Sequence, residues 1–353
     1  MPRTLLHSIF RSLARTGLLW FATTALLHAE RLELCWPTPN TAFSQRAPLD
    51  AFIQPTASGI VESGTFGSVR SGGTRFHEGI DLKPIARDRR GEPTDDIYAA
   101  MDGVVVHTST MSGKSNYGRY IVLSHKMEGV DVYTLYAHLA AVDSSIRPGV
   151  VVSAGTTIGT MGRSAAGGTI PRDRAHLHFE IGLVYGSFFQ RWYDRQKFGS
   201  PNYQGNFNGM NLEGFDPLQF FHDYSDGKAG DMAGYIKSLP SGYVLRVNAA
   251  EVPEFARDNP GLLSRPIPAE GPAGWDITFT WFGLPKMLTP LARADLGAAD
   301  SPGVVRLKAI NRQLIEANHS RDTVRIKNGK PVMYSGATDI LELMFGHSFS
   351  SKR

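Results

Sequence analysis

Ala175-His176-Leu177-His178-Phe179-Glu180-Ile181-Gly182 alternates polar and apolar side chains. In a β-strand, residues i and i+2 point to the same face. His176, His178 and Glu180 therefore share one face, and Leu177, Phe179 and Ile181 share the other. The apolar face anchors the strand in a core. The opposite face presents two imidazoles and a carboxylate side by side. Alone, such a pair also occurs on ordinary surface strands, so its meaning depends on what surrounds it.

The neighbouring text is of the same kind. Tyr98–His107 holds Gly103-Val104-Val105-Val106, Tyr120–His125 reads Tyr-Ile-Val-Leu-Ser-His, and Val132–Leu139 reads Val-Tyr-Thr-Leu-Tyr-Ala-His-Leu. Val150–Gly162 carries Gly155 and Gly159 between apolar pairs. Short alternating runs broken by Gly, Asn, Asp and Pro predict a compact, mainly β unit over 56–185. Residues 186–228, aromatic and rich in Asn and Gly, are expected to wrap back over it. From about 229 the character becomes mixed α/β. Trp275–Phe282 alternates as a strand, and Val304–Asn318 has helical spacing at Val305, Ile310 and Leu314. Thr323–Tyr334 predicts a hairpin turning at Asn328-Gly329, a pair that tolerates positive φ. The expected organisation is a leader over 30–55, a β unit over 56–228 with its core at 56–185, and an accessory region over 229–353.

Of 353 residues, 42% are hydrophobic and 20% charged, a globular rather than disordered balance. The net charge of +4 is concentrated at the N-terminus, where Arg3, Arg11 and Arg15 stand without an acid before residue 30. The rest is nearly neutral, which argues against a nucleic-acid partner. Those arginines, the apolar run Gly17–Leu27 and the small Ala29 read as a secretory signal peptide over 1–29. The run is shorter than the roughly 20 residues of a membrane span. An exported protein is expected, in the periplasm or cell envelope, with no membrane span after signal removal. The single cysteine, Cys35, excludes an internal disulfide framework and a Cys-based zinc finger. Leu32-Glu33-Leu34 before it lacks the small residues of a lipidation site.

Two further segments carry chemistry. In Phe76-His77-Glu78-Gly79-Ile80-Asp81-Leu82, His77 and Asp81 would lie about 13 Å apart on a straight strand. Sharing an ion requires bonds of about 2 Å, so the segment must bend, and Gly79 is where it can. A hydrogen bond within a turn is the plainer alternative. His77-Glu78 lacks the second histidine of a His-Glu-x-x-His helix. In Tyr133-Thr134-Leu135-Tyr136-Ala137-His138-Leu139, alternation places Thr134, Tyr136 and His138 on one face. His125 ends a strand nearby and reads as structural.

Taken together, these segments resemble the lysostaphin-type (LytM-like) zinc metallopeptidases. The resemblance runs through Gly79-Ile80-Asp81 after His77, Tyr98-Ala99-Ala100-Met101-Asp102-Gly103-Val104, Asn116-Tyr117-Gly118, Tyr136-Ala137-His138-Leu139, Gly155-x3-Gly159-x2-Gly162 and His176-Leu177-His178-Phe179-Glu180. It implies a small antiparallel β-structure with a substrate groove. It implies one zinc ion per chain, bound by His77, Asp81 and His178, and a catalytic pair in His138 and His176, leaving open which is the base. Asn116 and Tyr117 become candidates for contact with substrate, and Glu180 for orienting a ligand histidine. Two stretches exceed the family pattern: the segment between Pro84 and Ile97, and Thr169–Arg174 before the histidine pair. The implied activity is a zinc metalloendopeptidase cutting peptide stems or cross-links of bacterial peptidoglycan. The alternative is a non-catalytic module of the same fold that binds wall or activates an amidase.

Overall fold

The strand Leu177–Val184 lies inside a seven-stranded antiparallel sheet. Leu177, Phe179, Ile181 and Leu183 are fully buried. Burying each large apolar side chain of this kind contributes about 1.5–3 kcal/mol. On one side the strand pairs with Val130–Ala137, followed in order by Tyr120–Met127, Gly103–Ser109 and Val151–Val152. On its other side two short strands share its length. Ile80–Leu82 pairs with residues 177–179, and Leu212–Phe215 pairs with residues 181–184. The 186–228 stretch thus contributes a strand to the sheet as well as the helices Phe189–Gln196 and Pro217–Ser225.

The computed structural model describes residues 32–297 and 301–351. The signal-peptide reading of 1–29 falls outside the described residues. Among the described residues no helix is long and apolar enough to cross a membrane. The stretch read as a leader is packed: Trp36 stacks on Phe43 with ring centroids 4.2 Å apart, and both rings meet Phe221 edge-on.

The C-terminal region is mixed α/β. Its five-stranded sheet runs Pro285–Leu291, Gly274–Phe279, Tyr243–Val247, Val304–Ile310 and Ser350–Ser351. One buried apolar cluster extends from Ile80 and Phe179 to Trp275, Leu341 and Phe345. Residues from Leu32 onward form a single compact unit. The hairpin is present as Val324–Lys327 and Lys330–Met333, with Asn328 and Gly329 at φ +51° and +71°. The helical reading of Val304–Asn318 is corrected. Val304–Ile310 is a strand, and only Arg312–Ala317 is helical. Val305 and Leu307 pair with Val247 and Leu245, and this ladder outweighs the local spacing. The Asn311 side chain caps the helix by accepting from the Leu314 N–H at 3.1 Å.

Candidate metal centre and active site

Strand register brings the first two residues together. His178 stands directly opposite Asp81. The chain before Asp81 breaks at Glu78-Gly79, between the strands Arg75–His77 and Ile80–Leu82. A Cβ on Gly79 would sit 2.2 Å from the Phe179 carbonyl oxygen, so no other residue fits this bend without movement. Through it His77 returns to Asp81. His77 Nε2 lies 3.0 Å from His178 Nδ1 and 3.1 Å from Asp81 Oδ1, and the latter pair are themselves 3.1 Å apart. All three residues are buried.

The tautomers follow from the outer partners. His77 Nδ1 lies 2.7 Å from the Thr65 carbonyl oxygen, which can only accept, so Nδ1 carries the proton and Nε2 keeps its lone pair. His178 Nε2 donates to Glu180 Oε1 at 2.8 Å, leaving the Nδ1 lone pair inward. Glu180 is buried and held by the Tyr117 and Tyr133 hydroxyls, each at 2.7 Å. Arg70 donates to Asp81 Oδ2 at 2.5 Å, leaving Oδ1 to the centre.

Three lone pairs thus converge on one point, an arrangement that repels itself unless a cation lies between. Burial alone would raise the Asp81 carboxyl, but His77, His176 and His178 hold it well below the usual carboxylate range. Burial opposes charge on His178, yet its bonds to Asp81 and Glu180 push it up to about 9. Both shifts express the same demand for positive charge. Ligand atoms at tetrahedral corners about 2.0 Å from zinc stand about 3.3 Å apart, close to the separations here. His77, Asp81 and His178 are suited to hold a metal ion, and the donor set, two nitrogens and a carboxylate oxygen, fits zinc.

His138 and His176 flank this centre, their rings 4.8 Å apart. His138 Nδ1 donates to the Ser164 carbonyl at 2.8 Å, and His176 Nδ1 to the Arg174 carbonyl at 2.7 Å. The Nε2 of each keeps its lone pair. Burial, then the neighbouring His176 and His178, holds His138 well below the ordinary histidine value. Burial likewise lowers His176, with Asp81 opposing. Two neutral imidazoles beside a cation site can accept and return protons. A cavity of about 190 Å³ is lined by Arg70, Asp81, His138, His176 and His178.

Thr134 and Tyr136 share a face as expected, their hydroxyls 3.0 Å apart, but the placing of His138 with them is corrected. Tyr136 faces the core against Phe179, and its hydroxyl reaches the Ala100 N–H at 2.7 Å. Thr134 is buried against His125. His138 follows the strand at φ +62°, a left-handed conformation that non-glycine residues rarely adopt. That turn swings its ring to the opposite face, toward His176 and His178. Such strain persists where surrounding structure fixes it, commonly at functional sites. Here the Ser164 carbonyl does so.

Asn116 and Tyr117 line a larger adjoining cavity of about 610 Å³ together with His138 and His178. His125 stays apart: its nitrogens bond the Asp102 carbonyl and the Thr134 hydroxyl, both at 2.7 Å. Sequence reasoning missed Arg70, Thr65, Ser164 and Tyr133. Tyr133 alone carried a signal, since alternation from Ala137 and Leu135 sets it on the site face. The segment between Pro84 and Ile97 meets Thr169–Arg174 at Glu92. It takes Arg163 Nε and Nη2 at 2.7 and 2.8 Å and Arg172 Nε at 2.7 Å, tying both stretches beside Arg174 and His176.

The model of peptidase family M23 matches residues 75–188. No curated protein matches the chain. Among solved structures, the chain is similar to a zinc-containing peptidase from Vibrio cholerae at 27% identity, over 30% of this chain and 26% of that one, with a TM-score of 0.23. It is similar to Csd3 of Helicobacter pylori at 24% identity, over 42% and 29%, with a TM-score of 0.27. It is also similar to the catalytic domain of lysostaphin from Staphylococcus simulans at 22% identity, over 45% and 87%, with a TM-score of 0.27. The chain therefore spans under a third of the length of the first two. The segment matched by the model of peptidase family M23, residues 75–188, contains His77, Gly79, Asp81, His138, His176 and His178, and over it the chain is similar to that LytM-like peptidase family.

Proposed function

We propose that the protein is an exported zinc metalloendopeptidase that hydrolyses peptide bonds of bacterial peptidoglycan. The observation that carries this reading is the convergence of three inward lone pairs, on His77, Asp81 and His178, beside two imidazoles whose Nε2 atoms are uncommitted. In this reading residues 1–29 direct export, 56–228 form the metallopeptidase domain, and 229–353 are its accessory region.

Zinc bound by His77, Asp81 and His178 would supply Lewis acidity and an acidified water. The chain's own residues do the rest. Arg70 and Glu180 orient the ligand atoms of Asp81 and His178. His138 and His176, neutral at physiological pH, take a proton at Nε2 from the attacking water and return it to the leaving amine. The protonated ring also steadies negative charge on the former carbonyl oxygen. Asn116 and Tyr117 border the groove where a peptide would lie.

The test is incubation of the purified, zinc-loaded mature protein with labelled peptidoglycan, followed by mapping of the products. New peptide ends that disappear on chelation support the proposal. Binding to the wall with no cleavage would replace it with the non-catalytic reading.

A further inference from the structure

The candidate metal centre draws one side from outside the main sheet. Gly67–Arg70 and Arg75–His77 form a separate two-stranded hairpin. His77 stands at its end. Thr65, just before it, supplies the carbonyl that takes the His77 Nδ1 proton at 2.7 Å. Arg70, on its first strand, donates to Asp81 Oδ2 at 2.5 Å. One hairpin thus carries a ligand, the acceptor that sets that ligand's tautomer, and the donor that turns a second ligand. Asp81 and His178, by contrast, are placed by register in the seven-stranded sheet.

The hairpin is gripped by residues some 200 positions later in the sequence. Phe66 and Phe76 meet edge-on, with ring centroids 5.1 Å apart. The turn Trp281-Phe282-Gly283, between the strands Gly274–Phe279 and Pro285–Leu291, lays two more rings on them. Phe282 meets Phe66 edge-on at 5.1 Å, and Trp281 meets Phe76 edge-on at 5.6 Å. The Arg321 guanidinium lies 4.6 Å over the Phe76 ring, and Ser320 Oγ is 2.6 Å from Ser68 Oγ. Edge-on ring pairs and a cation over a ring face attract beyond the area they bury.

The grip is itself anchored to the main sheet. Arg321 donates to the Phe282 carbonyl at 2.8 Å and to Glu213 Oε2. The Tyr185 hydroxyl donates to the same Glu213 oxygen at 2.7 Å. Glu213 stands opposite Leu183, on the strand that carries His178. The sheet therefore fixes Glu213, Glu213 fixes Arg321, and Arg321 with the Trp281-Phe282 turn fixes the hairpin. Both halves of the metal centre are referred to one strand, His178 directly and His77 through the C-terminal region.

We propose that Trp281, Phe282 and Arg321 are positioning residues of the metal centre, holding the hairpin so that His77 Nε2 and Arg70 stand where the metal needs them. The C-terminal region then acts on the geometry of the centre. The inference rests on the reading of His77 as a metal ligand.

The test uses the full mature protein carrying Phe282→Ala, Trp281→Ala or the conservative Trp281→Phe. Val305→Ala is the control, since it removes core volume from the strand Val304–Ile310 instead. Amide exchange is followed in peptides covering 65–77 and 177–184, and zinc affinity by competition with a chelator, both well below each unfolding midpoint. Phe282→Ala and Trp281→Ala should speed exchange several-fold over 65–77 and leave 177–184 near the parent rate. Zinc should bind about 10-fold more weakly, the scale for losing the support of a ligand histidine. Trp281→Phe should stay near the parent in both. Val305→Ala should lower the midpoint and leave zinc affinity unchanged. Trp281 is only half-buried, so its variants decide the matter if Phe282→Ala does not fold. Unchanged exchange over 65–77, faster exchange there with unchanged zinc affinity, or an equal loss of zinc affinity in Val305→Ala overturns the proposal. A parent protein that binds no zinc removes the metal reading and the positioning role with it, while faster exchange over 65–77 would still establish the grip.

Discussion

Asp81 and His178 face each other across one pair of antiparallel strands, with Oδ1 3.1 Å from Nδ1. Strand register thus makes this contact, and each residue's remaining polar atom is held from behind: Asp81 Oδ2 by Arg70 and His178 Nε2 by Glu180. The sheet and these two outer partners fix the geometry of the centre.

Glu180 is the residue through which that support is tested. Glu180→Gln replaces a carboxylate acceptor of the His178 N–H with an amide, and disturbs the bonds from Tyr117 and Tyr133. Zinc affinity should fall about 10–100-fold, the usual scale for losing a partner of a ligand histidine. Competition with a chelator measures it. Unchanged affinity would make Glu180 a structural residue only.

Stability should fall with acid, and His125 is one cause. Burial lowers its pKa from 6.5 to about 4. Between those values the unfolded chain binds the proton more readily, so the contribution is complete above about pH 6.5 and is lost as pH falls toward 4. The full effect is on the order of 3 kcal/mol. Burial lowers His107 as well, adding in the same direction. Urea midpoints across pH 7.5 to 4.5 should fall for the parent protein. His125→Gln should start lower at pH 7.5 and vary less with pH.

Glu92 joins the segment between Pro84 and Ile97 to Thr169–Arg174. Arg172 and Arg163 meet on it, and Arg172 stands two residues before Arg174, whose carbonyl fixes His176. Glu92→Gln should lower kcat several-fold while leaving KM and zinc content near their parent values. A change in KM alone would assign the network to substrate binding instead.

The polar face of residues 176–180 and the bend at Gly79 were legible because each follows from local geometry: two-residue alternation in one case, a Cβ-free close approach in the other. His138 was legible as a histidine of the right motif but not in its orientation. Alternation put it with Tyr136, and the positive φ that turns it away depends on the distant Ser164 carbonyl. Arg70 lies eleven residues before Asp81 and left no local trace, since only the pairing of separate strands brings them together. The strand Val304–Ile310 was obscured in the same way, because its partner Tyr243–Val247 lies some sixty residues earlier. The mixed α/β character of the C-terminal region was legible in its pattern. The sharing of one buried core by Phe179 and Trp275 was not, because it is a property of packing.

The central claim divides five residues into three that hold zinc and two that move protons. Zinc content and peptidoglycan cleavage, measured on the same purified variants, test it most directly. Alanine at His77, Asp81 or His178 should remove zinc and activity together, since two protein ligands remain. Alanine at His138 or His176 should leave zinc near one per chain while turnover falls about 10²-fold or more. Loss of zinc from His138→Ala or His176→Ala, with zinc retained by His178→Ala, would contradict the account.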